Sequence, residues 1–248
     1  MRAVLMYHSV DETGSPISMS PDEFRAHVDF FVSGAVRVRS LSDLLAGNAT
    51  SDEHAVALTF DDAVLNFATE VAPVLGEHGL PVTLFVVPGH VGQHNRWGGT
   101  SQSGIPDLPL LDWDALGVLA DGGGVDIGAH TRTHPHLTRC STTAVEEELL
   151  GSADDLARHL GRRPATFSYP YGDCNDAVVD VAGRTFQWAC TTQFRALHAQ
   201  EHPARIPRLD ACALRGRGRL ERWGTRAFNL ELQLRATARR TRRLWHAD

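Results

Sequence analysis

Four residues in two short strings of this 248-residue chain carry side chains that can bind a metal and activate water. Asp61 and Asp62 are adjacent in Thr-Phe-Asp-Asp-Ala, and His130 and His134 lie four positions apart in His-Thr-Arg-Thr-His-Pro. Two imidazoles and one carboxylate make a candidate metal site, with the second carboxylate beside it. A Lewis acid next to a free carboxylate is the minimum set for hydrolysis of a carbonyl compound.

Both strings follow apolar stretches that predict buried strands. Because the chain must bend after its strand, the side chains of Asp61 and Asp62 can point in different directions near one centre, so that one binds a cation and the other accepts a proton from water. A bound cation would also relieve the repulsion between the two carboxylates. The spacing of His130 and His134 predicts a helical turn that brings both rings to the same side. Taken alone, the acidic pair could instead end a strand and cap a helix. The histidines could be ordinary surface residues among the thirteen in the chain.

A third string, Phe-Ser-Tyr-Pro-Tyr-Gly at 167–172, also follows a short apolar stretch. Together the three strings make this chain similar to the polysaccharide deacetylases, family four of the carbohydrate esterases. That family carries Thr-Phe-Asp-Asp, then His-Ser/Thr-x-x-His, then a motif ending in Pro-Tyr or Pro-Phe. All three occur here in this order. The resemblance runs from about Val4 to about Leu209.

The resemblance implies a role for each motif residue. Asp61 would be the general base, and Asp62, His130 and His134 would bind a divalent cation. In the family this cation is usually Zn²⁺, with Co²⁺ or Ni²⁺ as substitutes. The backbone N–H of Tyr171 would stabilise the developing oxyanion, where a donor favours the transition state over the substrate.

Three further residues are candidate substrate contacts. Tyr169 and Pro170 stand in the third motif, and Trp97 lies in a loop at 94–109 that is rich in Gly, Ser and Pro. Long loops of this kind often shape substrate choice. The Trp97 indole could stack on a sugar, but the alternative that it pins the loop to the body of the protein is slightly favoured.

The chain departs from the family pattern at two motif positions. Ser168 stands where the third motif usually has an arginine that orients the catalytic aspartate, so Asp61 needs another partner. Arg208, in a late strand-like segment, is one candidate. Ala63 stands where glycine often follows Asp-Asp, a change that costs little unless the backbone needs a positive φ.

The histidine that acts as general acid in the family normally comes from a late Leu-x-His motif, which is not apparent here. Leu-His ending at His198 is a poor match, because no strand follows it. The opening Tyr-His-Ser-Val around His8 resembles a circularly permuted branch of the family, in which the first strand supplies that histidine. The resemblance implies that His8 is the general acid, although it could merely form a hydrogen bond at a strand end. His136 is expected to be a local structural or substrate-facing residue.

Strand and helix patterns alternate along the chain, which predicts a parallel sheet. Ser20, followed by Pro and then by Glu23, is a strong helix start with a capping box. The resemblance implies a distorted, incompletely closed (β/α)7 barrel, whereas periodicity alone does not exclude an open doubly wound sheet. Each candidate catalytic residue follows a predicted strand, which is where barrel enzymes place their chemistry.

The net charge of −6 is unevenly distributed. Residues 211–248 contain ten Arg and three acidic residues, a balance of +7, so the rest of the chain carries −13; lysine is absent throughout. We divide the chain into a catalytic domain at 1–210 and an Arg-rich helical extension at 211–248. The helix predicted at 225–245 could contact a membrane surface, a partner or an anionic glycan. Packing on an acidic barrel is favoured, and no nucleic-acid partner is expected.

The four cysteines are widely spaced, so they predict neither a cysteine zinc site nor a disulfide framework. The sequence has no leader-like region and no apolar run long enough to span a bilayer, so a cytoplasmic location is expected. Many relatives act on cell-wall or exopolysaccharide. A cytoplasmic relative would act on a smaller acetylated amino-sugar conjugate.

These residues predict metal-dependent removal of an N-acetyl group from an N-acetylhexosamine-containing glycan or glycoconjugate, with release of acetate. One alternative is an amidase or deacylase that acts on a non-sugar molecule with the same site. Another is an inactive domain that only binds glycans, which the missing motif arginine suggests.

Overall fold

The structure is a computed structural model that describes residues 1–47, 54–99, 104–216 and 218–245, with the side chains of the last helix up to Arg239. Part of the loop predicted at 94–109 (100–103) and the last three residues of the C-terminal extension lie outside the described residues. The strands are β1 (Arg2–Tyr7), β2 (Ser9–Val10), β3 (Ser18–Met19), β4 (Arg37–Val38), β5 (Ala55–Phe60), β6 (Val82–Val86), β7 (Val125–Ala129), β8 (Thr166–Ser168), β9 (Trp188–Cys190) and β10 (Leu209–Asp210).

The main sheet runs in the order β10-β1-β5-β6-β7-β8-β9, with β4 paired to the first residues of β5. Its strand pairs are parallel, as the alternation of strands and helices predicts. Beyond the last strand, Ile206 pairs with Cys190, and Leu209 pairs with Leu5 of β1. The segment from Ile206 to Leu209 therefore lies between β9 and β1 and connects the two sides of the curved sheet. The distorted, incompletely closed (β/α)7 barrel is confirmed over an open doubly wound sheet.

Helices surround the sheet and connect its strands. They are α1 (Pro21–Val32), α2 (Leu41–Ala46), α3 (Ala72–Glu77), α4 (Trp113–Asp121), α5 (Thr142–Leu160), α6 (Asp176–Thr185) and α7 (Arg226–Trp245). The predicted capping box is confirmed: the Ser20 side chain accepts from the Glu23 backbone, and the Glu23 side chain accepts from the Ser20 backbone. This reciprocal pair fixes the start of α1, whose buried residues include Phe24, Val28 and Phe31.

The inner strands are apolar because helices cover the sheet. All residues of β5 and β6 are buried, as expected for strands of a parallel sheet that is covered on both faces. Directly after β5, the apolar residues give way to two buried carboxylates, those of Asp61 and Asp62. Buried charges need partners, so this end of the sheet must hold compensating groups.

The C-terminal helix α7 packs against the barrel through its described part. Phe228 and Leu232 are buried in the main core, and Arg239 pairs with Asp210 at 2.8 Å. The side chains of α7 from Arg240 onward lie outside the description. Among the helices of the described ranges, none is long and apolar enough to cross a bilayer.

Candidate functional site

The predicted catalytic and metal-binding residues lie at one edge of the sheet. Asp61 and Asp62 follow β5, His130 follows β7, and His8 follows β1. Tyr171 lies in a short 3₁₀ turn after β8. Because β1, β5, β6, β7 and β8 are successive parallel neighbours, their carboxyl ends meet at the same edge.

Asp62, His130 and His134 bring one potential ligand atom each into a buried cluster. Those atoms lie within 4.8 Å of one another, and Asp62 Oδ1 is 3.5 Å from Nε2 of each histidine. In the part of the chain that the structure describes, Asp62 Oδ1 is also a buried oxygen without a hydrogen-bond partner. A buried carboxylate oxygen that faces two imidazole nitrogens is poorly satisfied unless a cation binds among them. The three residues therefore fit a metal site.

The two histidines differ in how their rings are held. His130 Nδ1 donates to the backbone carbonyl of Ser168 at 2.7 Å, which leaves Nε2 to face Asp62. Burial lowers the pKa of His134 to about 3, so that ring is neutral, which is the ligand form of imidazole. Burial also acts to lower the pKa of His130, but the close contact with Asp62 and the negative charges of Asp61 and Asp62 outweigh it and raise that pKa. A proton and a cation therefore compete for His130.

Asp61, the adjacent carboxylate, is held by a buried arginine. Arg208 Nη1 and Nη2 donate to Asp61 Oδ1 and Oδ2, each at 2.7 Å, and Arg208 is 0% exposed. Burial alone would raise the pKa of Asp61, but the charge and hydrogen bonds of Arg208 hold it well below its ordinary range. Asp61 is therefore an ionised carboxylate beside the three-residue cluster.

Arg208 provides the contact that the third motif lacks. Ser168 Oγ accepts from Arg208 Nη2 at 2.7 Å and donates to Asp61 Oδ2 at 3.2 Å. Arg208 also donates to the Thr191 carbonyl and to Thr59 Oγ1, each at 3.1 Å. The arginine thus reaches Asp61 from the segment before β10, whereas Ser168 occupies the motif position. In the sequence, the one signal for this partner was an arginine in a strand-like stretch.

Backbone strain is concentrated in the loops of this site. Among the described residues, the non-glycine residues with positive φ are Asp62, Ala63, Thr131, His134 and Tyr171. Each such residue costs roughly 1–2 kcal/mol, because Cβ approaches the carbonyl oxygen in this conformation. At Ala63, φ is 55°, so the condition under which alanine carries a cost is met.

The prediction that His130 and His134 share a helical turn is wrong. The chain between them is an irregular loop, with φ of 61° at Thr131 and 63° at His134. Thr131 Oγ1 accepts from the backbone N–H of His134 at 2.9 Å. This contact folds the loop back on itself, so the two Nε2 atoms face Asp62 without helical geometry.

Glu148 on α5 holds the same loop and was not among the residues predicted from the sequence. Its Oε2 accepts from the backbone N–H groups of Arg132 and Thr133, each at 2.8 Å, and its Oε1 accepts from Thr133 Oγ1 at 2.6 Å. The Arg132 side chain pairs with Asp155 of the same helix at 2.6 Å. In the sequence, Glu148 is one of three consecutive glutamates, and periodicity does not show which of them faces the loop.

Replacing Glu148 by Ala is expected to lower the free energy of unfolding by about 2 kcal/mol, because a charged acceptor of three hydrogen bonds is lost. The loop should then position His134 less well, and we expect Zn²⁺ affinity to fall about 10-fold. Urea denaturation and zinc titration measure the two effects. Glu147→Ala, an exposed neighbour on α5, is the matched control. Equal behaviour of the two variants would contradict this role of Glu148.

His8 and Tyr171, the other two predicted catalytic residues, are both partly buried. His8 follows β1, the neighbour of β5, and its charge lowers the pKa of Asp61, Asp62 and His134, so it lies near the cluster. Tyr171 also borders the cluster, since its ring meets the His134 ring edge-on with centroids 4.7 Å apart. The structure therefore brings both residues to the site.

The three predicted substrate contacts are buried. Tyr169 is 0% exposed, and its hydroxyl donates to the Ala204 carbonyl at 2.9 Å. Pro170 is buried as well. Neither residue offers an exposed ring to a sugar. The Trp97 indole is 9% exposed and stacks on His134 with ring centroids 4.3 Å apart, a geometry that favours anchoring of the loop.

Comparisons with known proteins point to one family. Residues 48–185 match the polysaccharide deacetylase family. A chitooligosaccharide deacetylase of Rhizobium leguminosarum bv. trifolii is 36% identical over 110 residues, which cover 44% of this chain and 42% of that protein. The poly-beta-1,6-N-acetyl-D-glucosamine N-deacetylase of Staphylococcus aureus (strain MRSA252) is 21% identical over 203 residues, covering 77% of this chain and 67% of that one.

A solved structure shares the fold. The structure of IcaB from Ammonifex degensii matches with a TM-score of 0.72 and 24% sequence identity, covering 84% of this chain and 91% of that chain. The first curated relatives are matched over 64%, 42% and 67% of their own lengths, so much of each extends beyond the matched region.

Proposed function

Because this chain belongs to the polysaccharide deacetylase family, whose members are hydrolases of carbon–nitrogen bonds, we propose that it removes N-acetyl groups from a glycan or glycoconjugate that contains N-acetylhexosamine. The observation that carries the proposal is the buried cluster of Asp62, His130 and His134 next to the ionised Asp61. The named activities of the Rhizobium and Staphylococcus relatives support an acetylated amino sugar as substrate.

When bound by Asp62, His130 and His134, a divalent cation, of which Zn²⁺ is our first choice, supplies a Lewis acid for the acetamide carbonyl and makes water more acidic. Asp61 takes a proton from the attacking water. Arg208 ensures that Asp61 is ionised at neutral pH but also makes it a weak base, so it is suited to an acidified water.

Two further groups complete the proposed reaction. The backbone N–H of Tyr171 donates to the oxyanion that forms on the carbonyl oxygen, where a fixed donor is most effective. His8 donates a proton to the nitrogen as the carbon–nitrogen bond breaks, which leaves acetate and a free amino sugar. The alternative of an inactive glycan-binding domain is suggested by the missing arginine of the third motif. Because Arg208 forms the ion pair with Asp61 that this arginine would form, we do not favour that alternative.

Metal removal tests this function directly. After treatment with a chelator, we expect acetate release from N-acetylated chito-oligosaccharides or from poly-β-1,6-N-acetylglucosamine to fall at least about 100-fold, because several kcal/mol of transition-state stabilisation are lost. Addition of Zn²⁺, Co²⁺ or Ni²⁺ should restore activity. Acetate release that is indifferent to chelation would contradict metal dependence. A zinc-loaded protein that hydrolyses non-sugar acetamides but no acetylated sugar would indicate the amidase alternative.

A further inference from the structure

The Nδ1 atom of His134 has a side-chain partner, whereas that of His130 has a backbone partner. His134 Nδ1 lies 3.2 Å from the Tyr171 hydroxyl oxygen. His134 Nε2 is the nitrogen that faces Asp62, so it is the nitrogen that would bind the proposed cation. A neutral imidazole that binds a cation through Nε2 carries its proton on Nδ1, which then donates to the phenol oxygen. The Tyr171 hydroxyl is therefore in place to accept a hydrogen bond from the tautomer of His134 that can bind a cation through Nε2.

The Tyr171 ring is itself fixed from its other face. The His136 ring stacks on it with centroids 4.1 Å apart and planes inclined by 15°. His136 Nδ1 lies 3.7 Å from Asp173 Oδ2, and the backbone N–H and hydroxyl of Thr138 donate to the same carboxylate. This chain of contacts limits the movement of the phenol oxygen relative to His134.

Trp97 covers the His134 ring. Its indole stacks on the imidazole with planes inclined by 22°, while Tyr171 meets that imidazole edge-on at 75°. Trp97 thus sets the plane of the His134 ring, and Tyr171 contacts the ring edge and also accepts a hydrogen bond from its Nδ1. A ring held in both respects loses little further freedom when its Nε2 binds a cation.

From these contacts we infer that the Tyr171 side chain is a positioning residue that orients His134 toward the cation, a role separate from that of its backbone N–H. The inference rests on the metal binding proposed above. Hydrogen-bond partners of ligating histidines fix the tautomer and ring orientation, and their loss typically weakens metal affinity 10- to 100-fold. The phenol oxygen of Tyr171 is such a partner, supplied by a motif residue whose proposed catalytic part lies in the main chain.

Tyr171→Phe separates the two roles, because it removes only the hydroxyl and keeps the ring and the backbone N–H. We expect Zn²⁺ affinity, measured by competition with a chromophoric chelator, to fall about 10-fold while the circular dichroism spectrum is unchanged. Tyr7→Phe is the matched control, since the Tyr7 hydroxyl is 2.9 Å from His27 Nδ1 in a buried pair of the same kind outside the cluster. It should lower Tm but leave zinc affinity unchanged.

His136→Ala offers a second measurement, because it leaves the phenol in place but removes the ring that stacks on it. A few-fold loss of zinc affinity is expected. Native-like affinity in Tyr171→Phe, with the unmodified protein binding zinc, would overturn the inference and leave the proposed function standing. Failure of the unmodified protein to bind zinc would overturn both.

Discussion

Replacement of Asp61 by Asn is expected to lower kcat/KM for deacetylation by about 10²- to 10⁴-fold, the usual contribution of a general base. The amide has nearly the shape of the carboxylate but cannot take a proton from water. Zn²⁺ affinity should stay within about threefold of the native value, because the potential ligand atoms come from Asp62, His130 and His134. The prediction is thus a loss of turnover without a loss of metal.

Acetate release and zinc competition, measured on the same preparation, test this expectation. Asn leaves Arg208 with a weaker partner, so the folded fraction should be checked by circular dichroism at the assay temperature. Asp154→Asn is the control, since Asp154 on α5 forms an exposed ion pair with Arg163. A fall in zinc affinity as large as the fall in kcat/KM would assign Asp61 to the ligands instead. Turnover within tenfold of native would remove it from the mechanism.

Replacement of Arg208 by Met is expected to give the largest loss of stability, about 3–5 kcal/mol in the free energy of unfolding. Removal of one partner of a buried ion pair leaves the other charge uncompensated. Here that charge is Asp61, which is 2% exposed. Arg205→Met is the matched control, because Arg205 is only three positions away but pairs with the almost fully exposed Asp176. We expect it to change stability by less than about 1 kcal/mol.

The pH dependence of the Arg208 variant follows from the sign of the Asp61 pKa shift. In the native protein that pKa is depressed, so its contribution to stability is present above the unfolded value of roughly 4 and is lost as pH falls toward the folded value. In Arg208→Met, the charge and hydrogen bonds that most lower the pKa of Asp61 are lost, so burial shifts that pKa upward from its native value. The stability deficit should therefore be largest near neutral pH and shrink in acid.

The same shift predicts a change in the pH–rate profile. The acid limb of kcat/KM, where Asp61 becomes protonated, should move to higher pH in Arg208→Met than in Arg205→Met. Combined with Asp61→Asn, the Arg208 substitution should cost less than the sum of the single changes, because both break one pair. Additive effects, or an unmoved acid limb, would contradict the coupling of Arg208 to Asp61.

The motifs predicted the local parts of the site because each one lies within a few residues of a strand end. The apolar stretch before Asp61 and the one before His130 both form parallel strands, so their carboxyl ends had to meet at one edge of the sheet. The closure of the barrel was harder to predict from the sequence. It depends on Ile206 and Leu209, whose short pairings lack a periodic signal in the sequence.

The sequence did not determine the contacts that cross the fold. Arg208 is 147 positions from Asp61, and spacing could make it only a candidate. Glu148 was not found, because a glutamate on a helix carries no mark of the loop it faces. The helical turn expected for His130 and His134 failed for a related reason. Spacing gives only the separation of the two histidines along the chain. The direction of the loop between them depends on the left-handed backbone of Thr131 and His134.

The non-glycine residues with a left-handed backbone limit where this protein can be stabilised by substitution. Glycine adopts such a backbone without steric cost, so glycine substitutions at these loops are expected to relieve strain but widen the range of loop conformers. A screen for heat resistance alone would therefore risk trading catalytic geometry for robustness. Surfaces at the opposite, amino edge of the barrel and on the outer helices are the safer targets for thermostabilising designs.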